Sequence, residues 1–378
     1  MKIALVISNL EYGGAQQQVV ALANSVDKEE HEVVVISLSD FVPLSGSLDR
    51  SSERLHIVKK FYKYDLTVPI RLWRLLRRLK VDVLHAFLFD AEIAARIAGR
   101  LASVPVVAGS ERNCDYSLRP VQQRFYDLTR NLQDWCIANS YAGAQFNQNL
   151  LGYDKSQYIV VHNGVDTNRF RPAVGGSLRR SLGLQEADLV IGVFASFKAQ
   201  KNHELFFRAV ARIVMLYPNL KLMLVGEELY GGMHGSADHA QMIQVLVDQL
   251  GLRDRCLFVG NKRDVENFYP VCDFTVLPSR HEGMPNVVLE SLACGVPVIA
   301  TRVADNELLV PDGKVGFIVE SEDANGLAVQ MQKLLDDSEL RKTLGANSRS
   351  WIEENFSAYH MAGKMIDAYQ LMYESAVR

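Results

Sequence analysis

The sequence predicts an α/β fold made of two doubly wound parallel sheets in succession, and three observations carry that expectation. Short β-branched runs alternate with helical stretches through most of the chain, the pattern of βαβ units whose sheet is buried on both faces. One turn-rich stretch without periodicity interrupts the alternation near the middle. The length of 378 residues, 48% of them hydrophobic and 22% charged, suffices for two domains of average size.

The first strand is expected over 3–8, where Ile3-Ala4-Leu5-Val6-Ile7 stops at Ser8-Asn9. No small-residue cleavage site follows, so this is a buried strand and not a signal peptide. Further strands are expected over 33–38, 81–86, 104–109 and 136–138, with helical patterns at 15–26, 70–79 and 91–101 between them. Each strand leads into a polar or glycine-containing loop, the place where a doubly wound sheet binds ligands. After Tyr158-Ile159-Val160-Val161 comes the aperiodic stretch, His162-Asn163-Gly164-Val165-Asp166-Thr167-Asn168-Arg169-Phe170-Arg171-Pro172 and then Val174-Gly175-Gly176-Ser177. It is read as the linker, with a first domain over 1–171 and a second over 172–357. The second series of strands falls at 189–194, 220–225, 256–259, 274–277, 296–300 and 316–319. A last helix over 358–378 places Met361, Met365, Ile366, Tyr369, Met372 and Tyr373 near helical spacing. Its apolar face packs either on its own domain or back on the first, and the pattern leaves both open.

A net charge of −3 gives no global attraction for nucleic acid, and no apolar run reaches the length of about eighteen residues that crosses a bilayer. The five cysteines, Cys114, Cys136, Cys256, Cys272 and Cys294, include no C-x-x-C pair and read as small buried hydrophobes in a reducing compartment. A cytoplasmic protein is expected, any membrane contact being peripheral and at the inner face of the cytoplasmic membrane. Charge is unevenly spread: residues 1–172 hold 21 Lys/Arg against 18 Asp/Glu, and within 59–80 Lys59, Lys60, Lys63, Arg71, Arg74, Arg77, Arg78 and Lys80 oppose only Asp65. Phe61, Tyr62, Tyr64, Leu66, Ile70 and Trp73 are interleaved with them. Such a surface suits anionic lipid headgroups or a phosphorylated acceptor; it reads equally as a solvated helix whose leucines belong to the core.

The most informative segment runs Leu277-Pro278-Ser279-Arg280-His281-Glu282-Gly283-Met284-Pro285-Asn286-Val287-Val288-Leu289-Glu290-Ser291-Leu292-Ala293-Cys294-Gly295. A buried strand ends at Pro278, a glycine-containing loop follows, and a helix runs from about Asn286 until Gly295 stops it. Its N-terminus offers main-chain N–H groups and the positive end of the helix dipole, which suits a diphosphate. Glu282 and Glu290, eight residues apart, lie too far from each other to work on one atom. They suit two acceptors gripping hydroxyls at either end of an elongated ligand, such as a sugar and a ribose flanking a diphosphate.

This block resembles the E-x7-E region of retaining GT-B glycosyltransferases that use nucleotide sugars, of the family 4 type. Gly13-Gly14-Ala15, Asn163-Gly164-Val165-Asp166 with Phe170, Lys201, and Glu307 with Asp312-Gly313 and Gly316 match the pattern in the expected order, so the resemblance covers essentially the whole chain. It implies two Rossmann-like domains facing a central cleft. Glu290 would then accept hydrogen bonds from the ribose and Glu282 would hold a donor-sugar hydroxyl. Gly283, Met284, Pro285, Asn286 and Val287 would line the sugar and diphosphate, Pro285 donating no N–H. Lys201 would neutralise charge developing on the leaving diphosphate. In the first half, Gly13 and Gly14 would let the backbone approach the ligand, Asn163 would join the donor site, and His85 would act at the strand end facing the cleft. A lone histidine is otherwise a satisfied core residue, and Gly13-Gly14 otherwise a plain turn. Glu111, Arg112 and Asn113, after the strand over 104–109, are acceptor-side candidates; they read as well as a loop salt bridge.

The chain departs from the family pattern twice. His85-Ala86-Phe87 stands where His-x-His is common, and Ala195-Ser196 replaces Gly-Arg before the lysine loop, leaving Lys198 as the stand-in cation. A lysine does not reproduce bidentate phosphate recognition. No Asp-x-Asp motif lies in a suitable loop, so neither a metal nor a cofactor is expected beside the co-substrate.

The reading is therefore a retaining, metal-independent glycosyltransferase of polysaccharide biosynthesis. It would move a sugar from a UDP- or GDP-linked donor to a glycan or lipid-linked acceptor, with peripheral membrane contact through 59–80 and no nucleic acid. A nucleotide-sugar epimerase or hydrolase of the same fold, or a catalytically silent sugar-nucleotide-binding subunit, is the alternative. A dinucleotide-dependent oxidoreductase is the weakest rival, since neither half shows a G-x-G-x-x-G turn.

Overall fold

The computed structural model describes residues 1–26, 29–62, 65–114, 118–152, 154–173, 175–227 and 235–377. Lys63 and Tyr64 of the basic stretch and Val174 of the linker lie outside them. The chain forms two units, Met1–Gly164 with Ala358–Arg378, and Val165–Ser357.

The first unit carries a parallel sheet of seven strands, β1 (Lys2–Ile7), β2 (Glu32–Ser37), β3 (Leu55–Ile57), β4 (Val83–Phe87), β5 (Val106–Glu111), β6 (Trp135–Ala138) and β7 (Tyr158–Val160), in the order β3-β2-β1-β4-β5-β6-β7. Because strand side chains alternate, Ile3, Leu5 and Ile7 enter one core while Ala4 and Val6 enter the other. Helices Val68–Leu79 and Phe89–Leu101 close one face through Leu72, Leu76, Ala91, Ala95 and Ala98. Helix Gly14–Ser25 closes the other together with the last helix, Ala358–Val377. That last helix packs on the first unit through Met361, Met365, Tyr369 and Met372, which settles the choice its periodicity left open. The edge strand β3 was not expected: three residues, none of them buried, carry no pattern to read.

The second unit carries six parallel strands, β8 (Leu189–Phe194), β9 (Leu220–Val225), β10 (Cys256–Gly260), β11 (Phe274–Leu277), β12 (Val298–Thr301) and β13 (Gly316–Val319), ordered β10-β9-β8-β11-β12-β13. Ile191 and Val193 face helices His203–Ile213 and Ala324–Asp336, whereas Val190 and Phe194 face Asn286–Ala293 and Ser338–Asn355. Strand β12 starts two residues later than expected, past Pro297, which has no N–H for a ladder.

The boundary between the units falls at Gly164/Val165, not at 171/172. Val165 and Phe170 are buried in a core of the second unit, the Val165 N–H donates to Phe356 O at 2.9 Å, and Arg349 holds Phe170 O at 2.8 Å and Thr167 O at 3.0 Å. What reads as linker by composition is thus fixed as part of that unit.

Candidate active site

In each sheet the strand order reverses once, between β1 and β4 and between β8 and β11, and in open α/β sheets the loops leaving such a reversal diverge and leave a crevice for ligands. In the second unit these are the loop with Lys201 and the loop with Glu282. The two are stitched together: Arg280 N–H donates to Gln200 O at 2.8 Å, and Gln200 Nε2 to His281 O at 2.8 Å. Ser279, whose carbonyl accepts from Thr301 Oγ1 at 2.6 Å, donates its hydroxyl to Glu282 Oε1 at 2.6 Å. Lys201 Nζ reaches the same oxygen at 2.6 Å. Glu282 is buried and Lys201 half-buried, so the pair is partly desolvated and solvent screens it less than a surface pair. Lys201 closes a short 3-10 turn, Ala199–Lys201, and Asn202 then caps helix His203–Ile213 from a left-handed conformation, donating to Glu322 at 3.0 Å.

Lys198 stands beside this pair. Burial pushes its ammonium pKa down and the Lys201 charge adds to that, while Glu282 opposes it. The main chain bends tightly here, Lys198 N–H donating to Ser196 O at 2.8 Å. The bend lies against Gly226, whose φ is +143° and where a Cβ would sit 2.1 Å from Ala195 O. Only glycine permits that approach.

Helix Asn286–Ala293 starts after Pro285 with no side-chain cap. Gly283, Met284 and Pro285 before it are buried, Asn286 and Val287 half-buried. Glu290 on this helix does not share the partners of Glu282. It is buried, and Tyr269 Oη donates to its Oε2 at 2.6 Å. The Tyr269 ring stacks on Phe194 at 3.9 Å between centroids and meets Phe170 edge-on at 6.0 Å. Burial raises the carboxyl pKa of Glu290 above its ordinary value, against the opposing pull of the Tyr269 hydrogen bond and of Arg169, which itself pairs with Glu266 at 2.7 Å.

The remaining candidates lie in the first unit. Gly13 caps helix Gly14–Ser25 in an extended conformation, and a Cβ there would meet the end of the Gln16 side chain. Asn163 gathers with an acceptor-side candidate, its Oδ1 accepting from Arg112 Nη2 at 2.6 Å. Arg112 lies 5.7 Å from the Phe87 ring centre, and burial lowers its pKa to about 10 against the pull of Glu111. Glu111 organises its own loop, its Oε1 accepting from the N–H groups of Arg112 at 2.8 Å and Asn113 at 2.9 Å, and its Oε2 from Asn147.

His85 is placed otherwise than expected. Strand β4 continues to Phe87, so His85 sits inside the sheet, paired with Leu5 and Ala108, fully buried, and covered by the Phe87 ring at 4.2 Å. Its Nδ1 lies 2.7 Å from Tyr369 Oη. Burial, with Arg112 nearby, pushes its pKa down to about 3, so it is neutral.

Sequence reasoning missed Tyr269, Tyr369 and Gln200, which act through partners far along the chain. It also missed the buried pair Arg96–Glu92, whose i,i+4 spacing on one helix was a usable signal.

Of the basic stretch, Val68, Leu72 and Leu76 belong to the core, while Phe61, Tyr62 and Leu66 are 61–76% exposed. Lys59, Lys60 and Arg71 pair with Asp40, Asp90 and Asp65; Arg74, Arg77 and Arg78 have no ion-pair partner among the described residues. No helix among the described residues is long and apolar enough to cross a membrane.

Residues 12–169 match the family model described as Glycosyltransferase Family 4, and residues 176–351 the one described as Glycosyl transferases group 1. Similar curated proteins include the Escherichia coli UDP-Gal:alpha-D-GlcNAc-diphosphoundecaprenol alpha-1,3-galactosyltransferase, 27% identical over 81% of this chain and 79% of the relative. The Bacillus anthracis N-acetyl-alpha-D-glucosaminyl L-malate synthase is 25% identical over 85% of this chain and 82% of the relative. Among solved structures, Anabaena Alr3699/HepE in complex with UDP superposes with a TM-score of 0.82 at 21% identity, covering 98% of this chain and 100% of that one.

Proposed function

From a chain that is a glycosyltransferase of the GT-B fold, with a glycosyltransferase family match over each half, we propose that the reaction proceeds with retention, without a metal, from a UDP- or GDP-linked sugar to a hydroxyl of a lipid-linked or polysaccharide acceptor. The observation that carries this is the Lys201–Glu282 pair at 2.6 Å, tied into the loop that leads to the helix bearing Glu290.

In this reading the second unit holds the donor. Glu290, steadied by Tyr269 through Oε2, offers its other oxygen to the ribose hydroxyls. The loop at Gly283 and Met284 and the start of the Asn286–Ala293 helix lie along the diphosphate. As the bond between the anomeric carbon and the diphosphate oxygen breaks, Lys201 and Lys198 balance the charge appearing on the leaving group. The acceptor oxygen bonds to the same face of that carbon, and its proton passes to the departing phosphate oxygen. Glu282 orients a sugar hydroxyl. Its oxygen is already held by Lys201 and Ser279, which favours this role over that of a covalent nucleophile. The first unit takes the acceptor, with Glu111, Arg112 and Asn113 as its polar candidates. Exposed Phe61, Tyr62 and Leu66 beside Arg74, Arg77 and Arg78 support contact with the anionic inner face of the cytoplasmic membrane. The relatives whose names include a diphosphoundecaprenol sugar and L-malate make anionic acceptors a reasonable class.

Calorimetric titration with UDP, GDP, ADP and NAD tests the donor site. One nucleoside diphosphate should saturate, and Glu290→Ala should weaken it by about 1–3 kcal/mol, the value of a lost hydrogen bond to a buried partner. Equal affinity in the variant, or binding of NAD alone, overturns the assignment. Anomeric configuration of the product, read by NMR, tests retention, and a trapped glycosyl-enzyme ester would overturn front-face attack.

A further inference from the structure

Arg96 and Arg112 of the first unit are both drawn under cover, and the fold provides for them differently. Arg96, on helix Phe89–Leu101, is 1% exposed. Its Nε donates to Gln133 Oε1 at 2.9 Å, its Nη1 to Thr129 Oγ1 at 3.3 Å and its Nη2 to the Glu92 carboxylate at 3.2 Å. The guanidinium also lies 4.4 Å from the Tyr126 ring centre. Buried charges in folded proteins are paired in this way. Arg112, the residue that follows β5 at the ligand-binding edge of the same sheet, is not.

Arg112 is half-buried. Of the five N–H donors that a guanidinium offers, its Nη2 uses one on a neutral acceptor, Asn163 Oδ1, at 2.6 Å. Nε is enclosed and has no partner among the described residues. Nη1 has none there either but is not enclosed, so its hydrogens stay open to solvent. No carboxylate among the described residues forms an ion pair with Arg112. The one that acts on it is Glu111, whose oxygens accept from the N–H groups of Arg112 and Asn113 at 2.8 and 2.9 Å and from Asn147. The Phe87 ring, 5.7 Å away, adds a weak cation–π attraction and no counter-charge. Burial accordingly holds the Arg112 pKa down at about 10. A largely desolvated cation with an open edge and no ion-pair partner calls for an anion from outside the fold.

We infer that Arg112 is an anion receptor of the first unit, its open Nη1 edge taking a phosphate or carboxylate oxygen of the acceptor. This rests on the reading of the first unit as the acceptor side. The acceptor's anion then supplies to Arg112 the counter-charge that Glu92 supplies to Arg96. Charge-assisted hydrogen bonds of this kind are the strong ones, so the receptor selects an acceptor with an anionic group over a neutral sugar.

Nitrogen NMR of the full chain labelled with 15N-arginine tests it. The enclosed Nε–H of Arg112 is sheltered from exchange with water, and its signal is assigned by loss in Arg112→Lys and independently in Arg112→Gln. Because the guanidinium is delocalised, an anion at Nη1 shifts Nε as well. With UDP saturating, so that added phosphate does not settle in the donor site, methyl phosphate or acetate should move the signal saturably. The one that does so at lower concentration tells a phosphorylated acceptor from a carboxylate one, and neutral trimethyl phosphate should leave the signal in place. Line broadening of the added anion gives its affinity. Arg112→Lys, which keeps the charge and loses the planar fork, should bind about tenfold more weakly, and Arg112→Gln about hundredfold. A signal that neither anion moves, one that trimethyl phosphate moves equally, or an affinity unaltered in both variants overturns the inference. Failure of the transferase reading shows separately, as absence of saturable UDP binding by the wild type, because the Arg112 signal reports the anion with or without UDP.

Discussion

Lys201→Ala separates a structural cation from a catalytic one. The ammonium lies 2.6 Å from a carboxylate oxygen whose side chain is 7% exposed, while 19% of the lysine side chain remains in water. Removing one partner of a fully buried pair costs about 3–5 kcal/mol. Here the half-buried lysine had less to lose by desolvation, and Ser279 Oγ still donates to the same oxygen. The expected loss is therefore about 2 kcal/mol, between the surface and buried limits. For a unit of this size that lowers Tm by about 4–8 °C. If Lys201 also balances charge on the leaving diphosphate, turnover falls by a further factor of about 10²–10³, the usual effect of deleting one electrostatic stabiliser. The assay is release of UDP from saturating UDP-glucose with water as acceptor, at a temperature well below either Tm, beside a thermal melt. The double variant Lys201→Ala/Glu282→Gln removes the uncompensated charge and should recover most of the lost Tm while turnover stays low. Turnover within threefold of wild type in Lys201→Ala, or recovered together with Tm in the double variant, would refute the catalytic role.

Two further outcomes are expected. Burial raises the Glu290 pKa, so its ionised form costs the fold stability at neutral and higher pH, and that cost vanishes as pH falls below the ordinary carboxyl value of about 4.5. Glu290→Gln should accordingly raise Tm at pH 8, lose that advantage near pH 4, and still bind the nucleoside diphosphate about tenfold more weakly, since the contact is no longer charge-assisted; a lowered Tm at pH 8 contradicts the first part. Replacing Arg74, Arg77 and Arg78 together by glutamine should weaken cosedimentation with phosphatidylglycerol vesicles about hundredfold, at about 1 kcal/mol per lost charge, and change nothing with phosphatidylcholine; unchanged binding to the anionic vesicles would remove residues 59–80 as a membrane contact.

How legible each feature was in the sequence depends on how far it reaches along the chain. Strands β8, β9, β11 and β13 were expected with the bounds they have, because each is a β-branched or apolar run closed by turn residues. β3 was not, because a three-residue edge strand buries too little to leave a pattern. Glu282 and Glu290 stood out because a loop and the first turns of one helix hold both. The partner of Glu282, however, lies 81 residues away, and that of His85 lies 284 away. No local period encodes either. The domain boundary failed for a related reason. Val165 and Phe170 look like loop residues by their neighbours, and only the second unit's core, formed from residues far downstream, makes them interior.

Topology nonetheless supplies a rule that local reading lacks. In a doubly wound sheet the first strand and the one that joins it on the far side of the reversal are neighbours, so a residue just past each is carried to the same crevice. β8 and β11 hold those places, and the rule accordingly sets Lys201 against Glu282. Applied to β1 and β4 it selects Gly13 and Gly14 on one side and the end of β4 on the other. There the chain departs from the family's two histidines by placing Phe87. That ring now covers His85 and lies against the Arg112 guanidinium, so the departure exchanges a second polar group for an apolar wall that keeps the remaining imidazole dry and neutral. Which nitrogen of a neutral imidazole carries the proton is set by the hydrogen bond that the other makes, and here Nδ1 meets the Tyr369 hydroxyl at 2.7 Å. The substitution at position 87 and the phenol delivered by the last helix thus enclose the same imidazole from two sides.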